Sequence, residues 1–281
     1  MSKFLMGPSI LFCPADRPER YAKAAGRADA VIIDLEDAVA QEHKEAARLA
    51  LRESQLDPSR TIVRVNPVDT EHFALDLEAL KQTNYTTVML PKAQSQAEPA
   101  NLADYSVVAL CETAGGIANV AQIAAAPNVV AMMWGAEDLI ASLGGTSSRH
   151  DDGSYRQVAN FARSQVLIHA VANNKAAIDS VYLNIPDTPG LFLEAQDAKA
   201  SGFAAKASIH PNQMPIIRQA YAPTAAEVKL AERILAEAKQ HRGVFSLDGK
   251  MVDEPLLRQA RATLARANQL DKARRKGHVP G

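Results

Sequence analysis

Residues 105–139 read YSVVALCETAGGIANVAQIAAAPNVVAMMWGAEDL, and this stretch contains two apolar runs that each lead to an acidic residue. The first run leads to Glu112 and the second leads to Asp138. Uncharged runs of this length, rich in β-branched residues, are typical of strands buried on both faces of a parallel sheet. Apolar residues at helical spacing lie between the two runs, so the stretch predicts a strand, a helix and a second parallel strand.

Glu112 and Asp138 follow the two strands of one βαβ unit, in which both strands deliver their carboxyl ends to the same side of the sheet. Two carboxylates at that side suit a hard divalent cation such as Mg²⁺, which keeps most of its waters and leaves positions open for a substrate. Spacing alone leaves a second interpretation open, in which the two acids cap the helices that follow them.

The alternation of strand and helix continues along most of the chain. Runs that predict strands lie at 9–14, 30–35, 61–66, 87–92, 106–111, 129–135, 177–183 and 206–211. Eight strands alternating with helices, at a repeat of roughly 25–30 residues, predict a (β/α)₈ TIM barrel over residues 1–222. A doubly wound open sheet is the alternative, and it is disfavoured because no G-x-G-x-x-G turn follows an early strand.

The pattern changes after the eighth run. Residues 225–241 and 255–270 predict two helices, and the Asp248-Gly249 pair between alternating apolar residues predicts a hairpin turn. The basic tail at 271–281 is expected to fray. Residues 223–281 are surplus to a barrel, so we expect this helical and hairpin extension to be a lid, an oligomerisation arm or both.

Composition narrows the classes of protein. The chain has 281 residues and a net charge of −1, which gives no electrostatic reason to expect nucleic acid or a membrane surface as a partner. The two cysteines, Cys13 and Cys111, lie in apolar runs and fit buried thiols in a reducing cytosol better than a disulfide. Residues 1–5 form too short an apolar run for a signal peptide, and no stretch approaches the roughly 20 apolar residues of a membrane span. A cytoplasmic protein is expected.

Polar side chains gather at the predicted carboxyl ends of the strands. Active sites of (β/α)₈ barrels lie at this face, and so many polar groups would be costly in a core. The sequence therefore predicts an active site at this rim, drawn from Asp16, Arg17, Glu36, Asp37, Arg64, Asn66, Lys92, Glu112, Asp138 and His210.

Several short motifs together carry a resemblance to a known family. They are LFCPADR at 11–17, DLEDAV at 34–39 with Lys44 and Arg48 behind it, VRVN at 63–66, LPK at 90–92, ET at 112–113, GAED at 135–138, SGF at 201–203 and IHPNQ at 209–213. In this order they resemble the citrate lyase β-subunit-like, acyl-CoA lyase-like branch of the HpcH/HpaI aldolase superfamily. The resemblance covers essentially the whole chain, including GKMVD at 249–253. The chain departs from it at FAAK, 203–206, where many relatives have Gly before the Lys.

The resemblance implies a homotrimeric (β/α)₈ barrel that binds Mg²⁺. Its reaction would cleave or form the C–C bond of a 3-hydroxyacyl-CoA, such as malyl- or citramalyl-CoA, to give acetyl-CoA and a 2-oxo acid. Carried over by motif, Glu112 and Asp138 would be the metal ligands, and Arg64 would contact the substrate's oxygens. The backbone at Gly135, Ala136 and Glu137 would hold the carboxylate of the 2-oxo acid.

Two further sets of residues follow from the same resemblance. Asp253, at the end of the lid motif, would act as acid or base on the substrate of a neighbouring subunit. Coenzyme A would lie near the first strand, which makes Arg17, Arg20 and Lys23 the candidate phosphate contacts.

Each of these roles has a simpler alternative. Arg64 could be an ion-pair partner of Glu36 or Asp37, and these two acids are expected to orient metal-bound waters and Arg64. Given a metal, an ion pair at the rim is favoured for Lys92 over a Schiff base. Asp253 could cap the last helix. The three candidate phosphate contacts could be solvated side chains on a helix.

Other functions also stay open. A true citrate lyase β-subunit would act on a citryl thioester of an acyl carrier protein, and a thioesterase would let water intercept the same acyl group. A barrel that binds CoA thioesters without turnover is the non-enzymatic alternative, and the presence of Glu112, Asp138, Arg64 and Asp253 together argues against it.

Overall fold

The computed structural model describes residues 4, 6–241 and 243–275. The chain divides into two compact units, 1–220 and 221–281. Among the described residues, no helix has the length and apolar character needed to cross a membrane.

The first unit is a closed barrel of eight parallel strands, so the predicted (β/α)₈ fold is confirmed. Each strand pairs with the next along the chain, and the first pairs with the eighth, with Ser9 opposite Lys206. The strands are β1 Ser9–Pro14, β2 Ala30–Asp34, β3 Thr61–Arg64, β4 Thr87–Leu90, β5 Ser106–Cys111, β6 Val129–Trp134, β7 Ala176–Asp179 and β8 Ala205–Ser208.

The interior of the barrel is filled by side chains and forms a core. Branched and long residues from β1 to β7 meet small alanines from β8, so that large and small side chains interlock. The buried members include Ile10, Ile32, Ile62, Met89, Val108, Leu110, Met133, Ile178, Ala205 and Ala207.

The helices of this unit alternate with the strands. They are α1 Tyr21–Arg27, α2 Lys44–Glu53, α3 Glu71–Leu80, α4 Ala97–Ala100, α5 Ala114–Ala118, α6 Val120–Ala125, α7 Ala136–Ser142, α8 Gln157–Ala172, α9 Thr188–Ser201 and α10 Met214–Tyr221. The single helix predicted between β5 and β6 is in fact two. The break lies at Asn119, whose backbone leaves the helical region (φ −104°, ψ 11°) and whose side-chain amide donates to the Gln94 carbonyl at 2.9 Å.

Several strands end earlier than predicted, because their last residues turn into the loops of the carboxyl rim. The run at 177–183 forms a strand only as far as Asp179, and the run at 206–211 only as far as Ser208. His210 then begins a short 3₁₀ turn, where its Nδ1 accepts a hydrogen bond from the Asn212 N–H at 3.2 Å. The rim is therefore built largely from residues just beyond the sheet.

The second unit contains α11 Ala225–Glu237, β9 Phe245–Leu247, β10 Lys250–Val252 and α12 Glu254–Arg275. The predicted hairpin is confirmed, since β9 and β10 are antiparallel and its turn residues Asp248 and Gly249 have φ of 51° and 76°. The final helix extends five residues past its predicted end, through residues 271–275 of the predicted tail. Residues 276–281 of that predicted tail lie outside the described residues. A small apolar core holds this unit together, with Ala231, Ile234, Phe245, Val252 and Ala260 buried.

Candidate active site

Arg64, the last residue of β3, is held by two carboxylates at the carboxyl rim. Its Nε donates to Asp34 Oδ1 at 2.7 Å and its Nη2 to Asp34 Oδ2 at 2.6 Å, a bidentate pair. Its Nη1 lies 2.9 Å from Glu36 Oε2, and the guanidinium carbon lies 4.9 Å from the centre of the Phe12 ring. Burial works to lower the pKa of Arg64, but the charges of Asp34 and Glu36 outweigh it and raise that pKa. Arg64 is a fixed cation.

Glu36 also forms an ion pair with Lys92, which lies two residues beyond β4. The ammonium of Lys92 contacts the Glu36 carboxylate, and it lies 3.3 Å from Asp37 Oδ2. The rim ion pair predicted for Lys92 is therefore present. Glu36 is buried whereas Asp37 is 56% exposed, so only Glu36 is enclosed between Arg64 and Lys92.

Glu112 follows β5 and is almost wholly buried. Its Oε1 accepts the backbone N–H of Lys92 at 3.1 Å. Its Oε2 lies against Gly135, where an added β-carbon would be only 2.6 Å away. Burial, and after it the negative charges of Asp138 and Glu36, raise the pKa of Glu112 to about 8, although the positive charges of Arg64 and Lys92 work to lower it. A buried carboxylate with a raised pKa and a like charge beside it is typical of a functional site.

Asp138 lies in the first turn of α7 and is partly exposed. The interpretation of the two acids as helix caps does not hold for Glu112, because α5 is capped by Thr113, whose Oγ1 accepts the Gly116 N–H at 3.0 Å. At α7 the N-cap residue is Gly135, and Asp138 lies three residues into the helix. Within the described part of the chain, no hydrogen bond to the Asp138 carboxylate is found.

These two carboxylates fit a divalent cation of the magnesium type. Glu112 presents one oxygen already oriented by a hydrogen bond and a second oxygen beside Gly135. Asp138 raises the pKa of Glu112 through its charge, a repulsion that a bound cation would relieve. No group of three or more His, Cys, Asp or Glu with metal-binding geometry occurs among the described residues. A cation held by one or two carboxylates with water in the other positions matches the preference of Mg²⁺.

The segment predicted to hold a 2-oxo acid carboxylate leads from β6 into α7. Gly135 and Ala136 are buried, and Glu137 is exposed. The Glu137 side chain accepts the hydroxyl of Ser148 at 2.6 Å, so its carboxylate is engaged by the following loop. Only the backbone of this segment is therefore available for the predicted role.

Two cavities lie at opposite ends of the barrel. One, of about 410 Å³, opens at the carboxyl rim and is lined by Glu137, Arg149 and Tyr182 among others. The other, of about 630 Å³, is lined by Ser106, Val129 and neighbouring residues at the amino ends of strands, away from the carboxylates. Glu112, Asp138 and Arg64 therefore lie at the same end of the barrel as the smaller cavity.

The candidate phosphate contacts follow β1. Arg17, Arg20 and Lys23 are all exposed. Arg17 lies 3.9 Å from Asp16 and Arg20 lies 3.7 Å from Glu19, distances that leave both guanidiniums loosely paired. These cations are accessible, as a phosphate contact requires.

Asp253 caps a helix in the second unit. It precedes α12, and its Oδ1 accepts the Leu256 N–H at 3.3 Å. The capping contact that the sequence suggested is therefore present. The acid–base role on a neighbouring subunit stays a prediction.

Sequence reasoning missed the residues that support the rim from behind. Asp34 lies in the second predicted strand and in the DLEDAV motif, but no role is predicted for it, although it is an acid at a strand end like Glu112. Lys44 is buried, and its ammonium donates to the carbonyls of Leu35 and Glu36 and to Asn66 Oδ1 at 2.7–2.8 Å. The sequence signal for the buried role of Lys44 was its place behind the DLEDAV motif at 34–39.

A second buried network lies between the sheet and the helices. Asp179, at the end of β7, accepts hydrogen bonds from Trp134 Nε1 at 2.8 Å, Arg163 Nε at 2.9 Å and Lys206 Nζ at 2.9 Å. Lys206 is fully buried and also donates to Glu194 at 2.9 Å. The sequence signal for this network was a single charged residue in each of two otherwise uncharged strands, Asp179 in β7 and Lys206 in β8.

Comparison with known proteins assigns the chain to a family. The profile of the HpcH/HpaI aldolase/citrate lyase family matches residues 8–211, which include every strand of the barrel. The chain belongs to the HpcH/HpaI aldolase/citrate lyase family.

Individual relatives match along nearly their whole length. A citrate lyase subunit beta-like protein of Mycobacterium tuberculosis is 54% identical over 94% of this chain and 96% of its own. A (3S)-malyl-CoA thioesterase of Cereibacter sphaeroides is 36% identical over 93% of this chain and 95% of its own. The mitochondrial citramalyl-CoA lyase of Homo sapiens is 30% identical over 95% of this chain and 87% of its own.

A solved structure is also closely similar. The crystal structure of CitE from Mycobacterium tuberculosis in complex with magnesium, acetoacetate and coenzyme A has a TM-score of 0.91 and 54% sequence identity. The match covers 94% of this chain and 99% of that one.

Proposed function

We propose that this protein is a magnesium-dependent lyase that cleaves or forms the C–C bond of a 3-hydroxyacyl-CoA. The observation that carries the proposal is the juxtaposition of the buried Glu112 carboxylate with Asp138 and with the fixed cation Arg64 at the carboxyl rim. The magnesium, acetoacetate and coenzyme A bound to the similar CitE protein support it, as does the citramalyl-CoA lyase relative. The products would be acetyl-CoA and a 2-oxo acid.

Glu112 and Asp138 would hold the metal. When bound, Mg²⁺ supplies a Lewis acid that offsets the charge growing on the oxygens of the 2-oxo acid. The pKa of Glu112 is raised in the metal-free chain. A bound cation would favour the ionised carboxylate and so lower that pKa. The backbone at Gly135, Ala136 and Glu137 would hold the carboxylate of the 2-oxo acid.

Arg64 would provide the second positive charge. In the cleavage direction the hydroxyl proton passes to solvent water and the C–O bond becomes the carbonyl of the 2-oxo acid. The electron pair of the breaking C–C bond passes into the thioester to give the enolate of acetyl-CoA. Arg64 would stabilise the oxygen that becomes the carbonyl, and its pairing with Asp34 fixes it before the reaction begins.

Asp253 would complete the reaction from a neighbouring subunit of a homotrimer. Its carboxyl group would give a proton to the enolate carbon in cleavage, or remove one from acetyl-CoA in condensation. The hairpin and last helix around it would act as the lid, which would keep water from the thioester. The same residue caps α12, and the two roles are compatible because the cap uses one oxygen.

The other predicted features belong to the same proposal. Glu36 would orient Arg64, and Glu36 and Asp37 would orient metal-bound water. Arg17, Arg20 and Lys23 would contact the phosphates of coenzyme A. We further propose a cytoplasmic location, with small-molecule CoA thioesters and 2-oxo acids as the partners.

Hydrolysis of the thioester is the second candidate function. It is favoured by the 36% identity to a (3S)-malyl-CoA thioesterase over nearly the whole chain. In that reaction water would attack the thioester carbonyl and release free CoA with the hydroxy acid intact. A third possibility, supported by the name of the Mycobacterium tuberculosis relative, is action on a carrier-bound citryl thioester.

Product analysis by mass spectrometry tests the proposal. The purified chain is incubated with Mg²⁺ and a panel of malyl-, citramalyl- and other 3-hydroxyacyl-CoAs, with free citrate as a control. Acetyl-CoA with the matching 2-oxo acid supports the lyase, and the best substrate defines its class. Free CoA with an intact hydroxy acid would replace the lyase by the thioesterase. No turnover of any panel member would contradict both.

A further inference from the structure

Lys92 has a backbone conformation that its residue type disfavours. Its φ is 50°, in the left-handed region where a side chain with a β-carbon is strained. The positive-φ residues other than glycine in the described part of the chain are Lys92, Asn174 and Asp248. Asparagine and aspartate tolerate this region, whereas lysine does not share that tolerance. A strained lysine at the rim of the barrel needs a physical reason.

The conformation directs the N–H of Lys92 to the metal-ligand candidate. On either side, Leu90 pairs with Ala109 in the β4–β5 ladder, and the N–H of Ala93 donates to the Leu110 carbonyl at 3.0 Å. Between them, the N–H of Lys92 leaves the ladder and donates to Glu112 Oε1 at 3.1 Å. This hydrogen bond occupies one carboxylate oxygen and fixes the direction of the other.

The side chain of Lys92, unlike its backbone N–H, interacts with the Glu36–Arg64 pair. Its ammonium contacts Glu36, which is itself 2.9 Å from Arg64 Nη1. Arg64 contacts two carboxylates, Asp34 and Glu36. The ammonium of Lys92 brings a further positive charge directly to the Glu36 carboxylate, in addition to that of the buried Lys44 nearby.

We propose that Lys92 is a positioning residue with two separate functions, its backbone N–H orienting Glu112 for the metal and its ammonium balancing Glu36 beside Arg64. The inference deepens the proposed function and depends on it. The backbone function requires the left-handed conformation and no particular side chain. The side-chain function requires a cation and has no effect on the direction of Glu112.

Substitutions at this one position separate the two functions. Lys92→Gly removes the ammonium and permits the left-handed backbone, whereas Lys92→Val removes the ammonium and strongly disfavours that backbone. Lys92→Met keeps the length of the side chain without its charge, and Lys92→Arg keeps the charge. Lys81→Met is the matched control, because Lys81, the residue after α3, forms an exposed ion pair with Glu78 of that helix.

The backbone function is tested by the Kd for Mn²⁺, measured on the full chain by electron paramagnetic resonance in the absence of substrate. This measurement requires no turnover. We expect the Kd of Lys92→Gly and Lys92→Met to lie within about threefold of wild type, and that of Lys92→Val to rise about tenfold or more. Circular dichroism confirms that each variant is folded. Should Lys92→Val not fold, Lys92→Thr takes its place, since it is also β-branched.

Steady-state kinetics on the acyl-CoA that is turned over reads out the side-chain function. Loss of the ammonium leaves excess negative charge beside an anionic substrate, so Lys92→Met should raise KM about tenfold with little change in Mn²⁺ affinity. Lys92→Arg should restore most of that loss, and Lys81→Met should change neither quantity. A structural role alone would not separate Mn²⁺ affinity from KM in this way.

Two outcomes overturn the inference, and they are distinguishable. In the first, wild type binds Mn²⁺ and the two variants Lys92→Gly and Lys92→Val bind it equally well. Lys92 then does not orient Glu112, and the proposed function is unaffected. If wild type binds no Mn²⁺, the metal assignment in the proposed function fails, and the inference fails with it.

Discussion

The guanidinium of Arg64 is paired with the carboxylate of Asp34 through two hydrogen bonds, Nε to Oδ1 at 2.7 Å and Nη2 to Oδ2 at 2.6 Å. Both groups are buried at the ends of adjacent strands, β3 and β2. The pair fixes the orientation of Arg64, so that its remaining face is presented to the rim in one position. Preorganised charge of this kind stabilises a transition state without the cost of reorientation.

Asp34→Ala should destabilise the fold because it leaves the buried charge of Arg64 incompletely paired. Removing one partner of a buried ion pair costs about 3–5 kcal/mol, and chemical denaturation measures that loss. The matched control is Asp197→Ala, which removes a 62% exposed partner of Arg163 and should cost under about 1 kcal/mol. Equal losses in the two variants would contradict a dominant role for the Asp34–Arg64 pair.

Glu112→Ala and Asp138→Ala should each weaken Mg²⁺ binding and reduce turnover by more than about a hundredfold, because each removes one of two charged ligands. The fold should survive, since both side chains lie at the rim and not in the barrel core. Calorimetry with Mg²⁺ and initial-rate measurements check this. Asp104→Asn, an exposed carboxylate at the amino ends of the strands, is the control. Full activity in both variants would disprove the metal assignment.

The stability of the metal-free chain should fall as pH rises toward 8. Burial raises the pKa of Glu112 from 4.5 to about 8, so between these values the folded chain holds a proton that the unfolded chain has released. Glu112→Gln removes this dependence. Its unfolding free energy, relative to wild type, should increase by about 2 kcal/mol from about pH 6 to about pH 8.

Chemical denaturation in the presence of EDTA at several pH values measures this difference. Glu42→Gln, a change at an exposed glutamate, should leave the pH profile of wild type unaltered. A gap between Glu112→Gln and wild type that stays constant with pH would mean that Glu112 titrates normally.

Gly135→Ala should impair metal binding from outside the ligand set. The added β-carbon would lie 2.6 Å from Glu112 Oε2 and 2.8 Å from its β-carbon, so the glutamate must move. We expect Mg²⁺ affinity to fall about tenfold and the fold to lose about 1–3 kcal/mol. Gly26→Ala is the control, because nothing lies within 4 Å of its added carbon. Unchanged Mg²⁺ affinity in Gly135→Ala would show that the position of Glu112 is not critical.

Asp253 can be tested because asparagine keeps one of its two roles. Asparagine caps a helix about as well as aspartate, so Asp253→Asn should leave stability unchanged, whereas Asp253→Ala should cost about 0.5–2 kcal/mol. If Asp253 moves the proton at the acetyl carbon, both variants should slow exchange of that proton by about 100-fold or more. Deuterium exchange into acetyl-CoA measures it. Exchange at the wild-type rate in Asp253→Asn would leave only the cap.

The barrel and the position of its chemistry were accessible from sequence for a simple reason. Strands buried on both faces leave uninterrupted apolar runs, and the charged residues that end or closely follow such runs lie at the carboxyl rim. Glu112 and Asp138 each closely follow one of these runs. The same rule placed Arg64 and Lys92 at the rim, and the structure confirms those positions.

Glu36 was among the partners predicted for Arg64, and the structure confirms that pair, whereas the bidentate partner Asp34 could not be read from sequence. Which carboxylate meets Arg64 depends on the register between β2 and β3, and this places Asp34 directly opposite it. The break at Asn119 depends on a hydrogen bond to the carbonyl of Gln94, which is distant in sequence and comes close only in the folded chain. The left-handed conformation of Lys92 likewise accompanies a hydrogen bond to Glu112 that forms only in the folded chain, against the preference of its residue type.

The central claim is that the C–C bond breaks while the thioester survives. The most direct measurement is a short incubation of malyl-CoA or citramalyl-CoA with the protein and Mg²⁺ in H₂¹⁸O, followed by mass spectrometry of every product. We predict that acetyl-CoA appears at the earliest times together with the 2-oxo acid, and that formation of both products depends on Glu112. Free CoA together with a hydroxy acid that carries ¹⁸O in its new carboxylate, without acetyl-CoA, would contradict it.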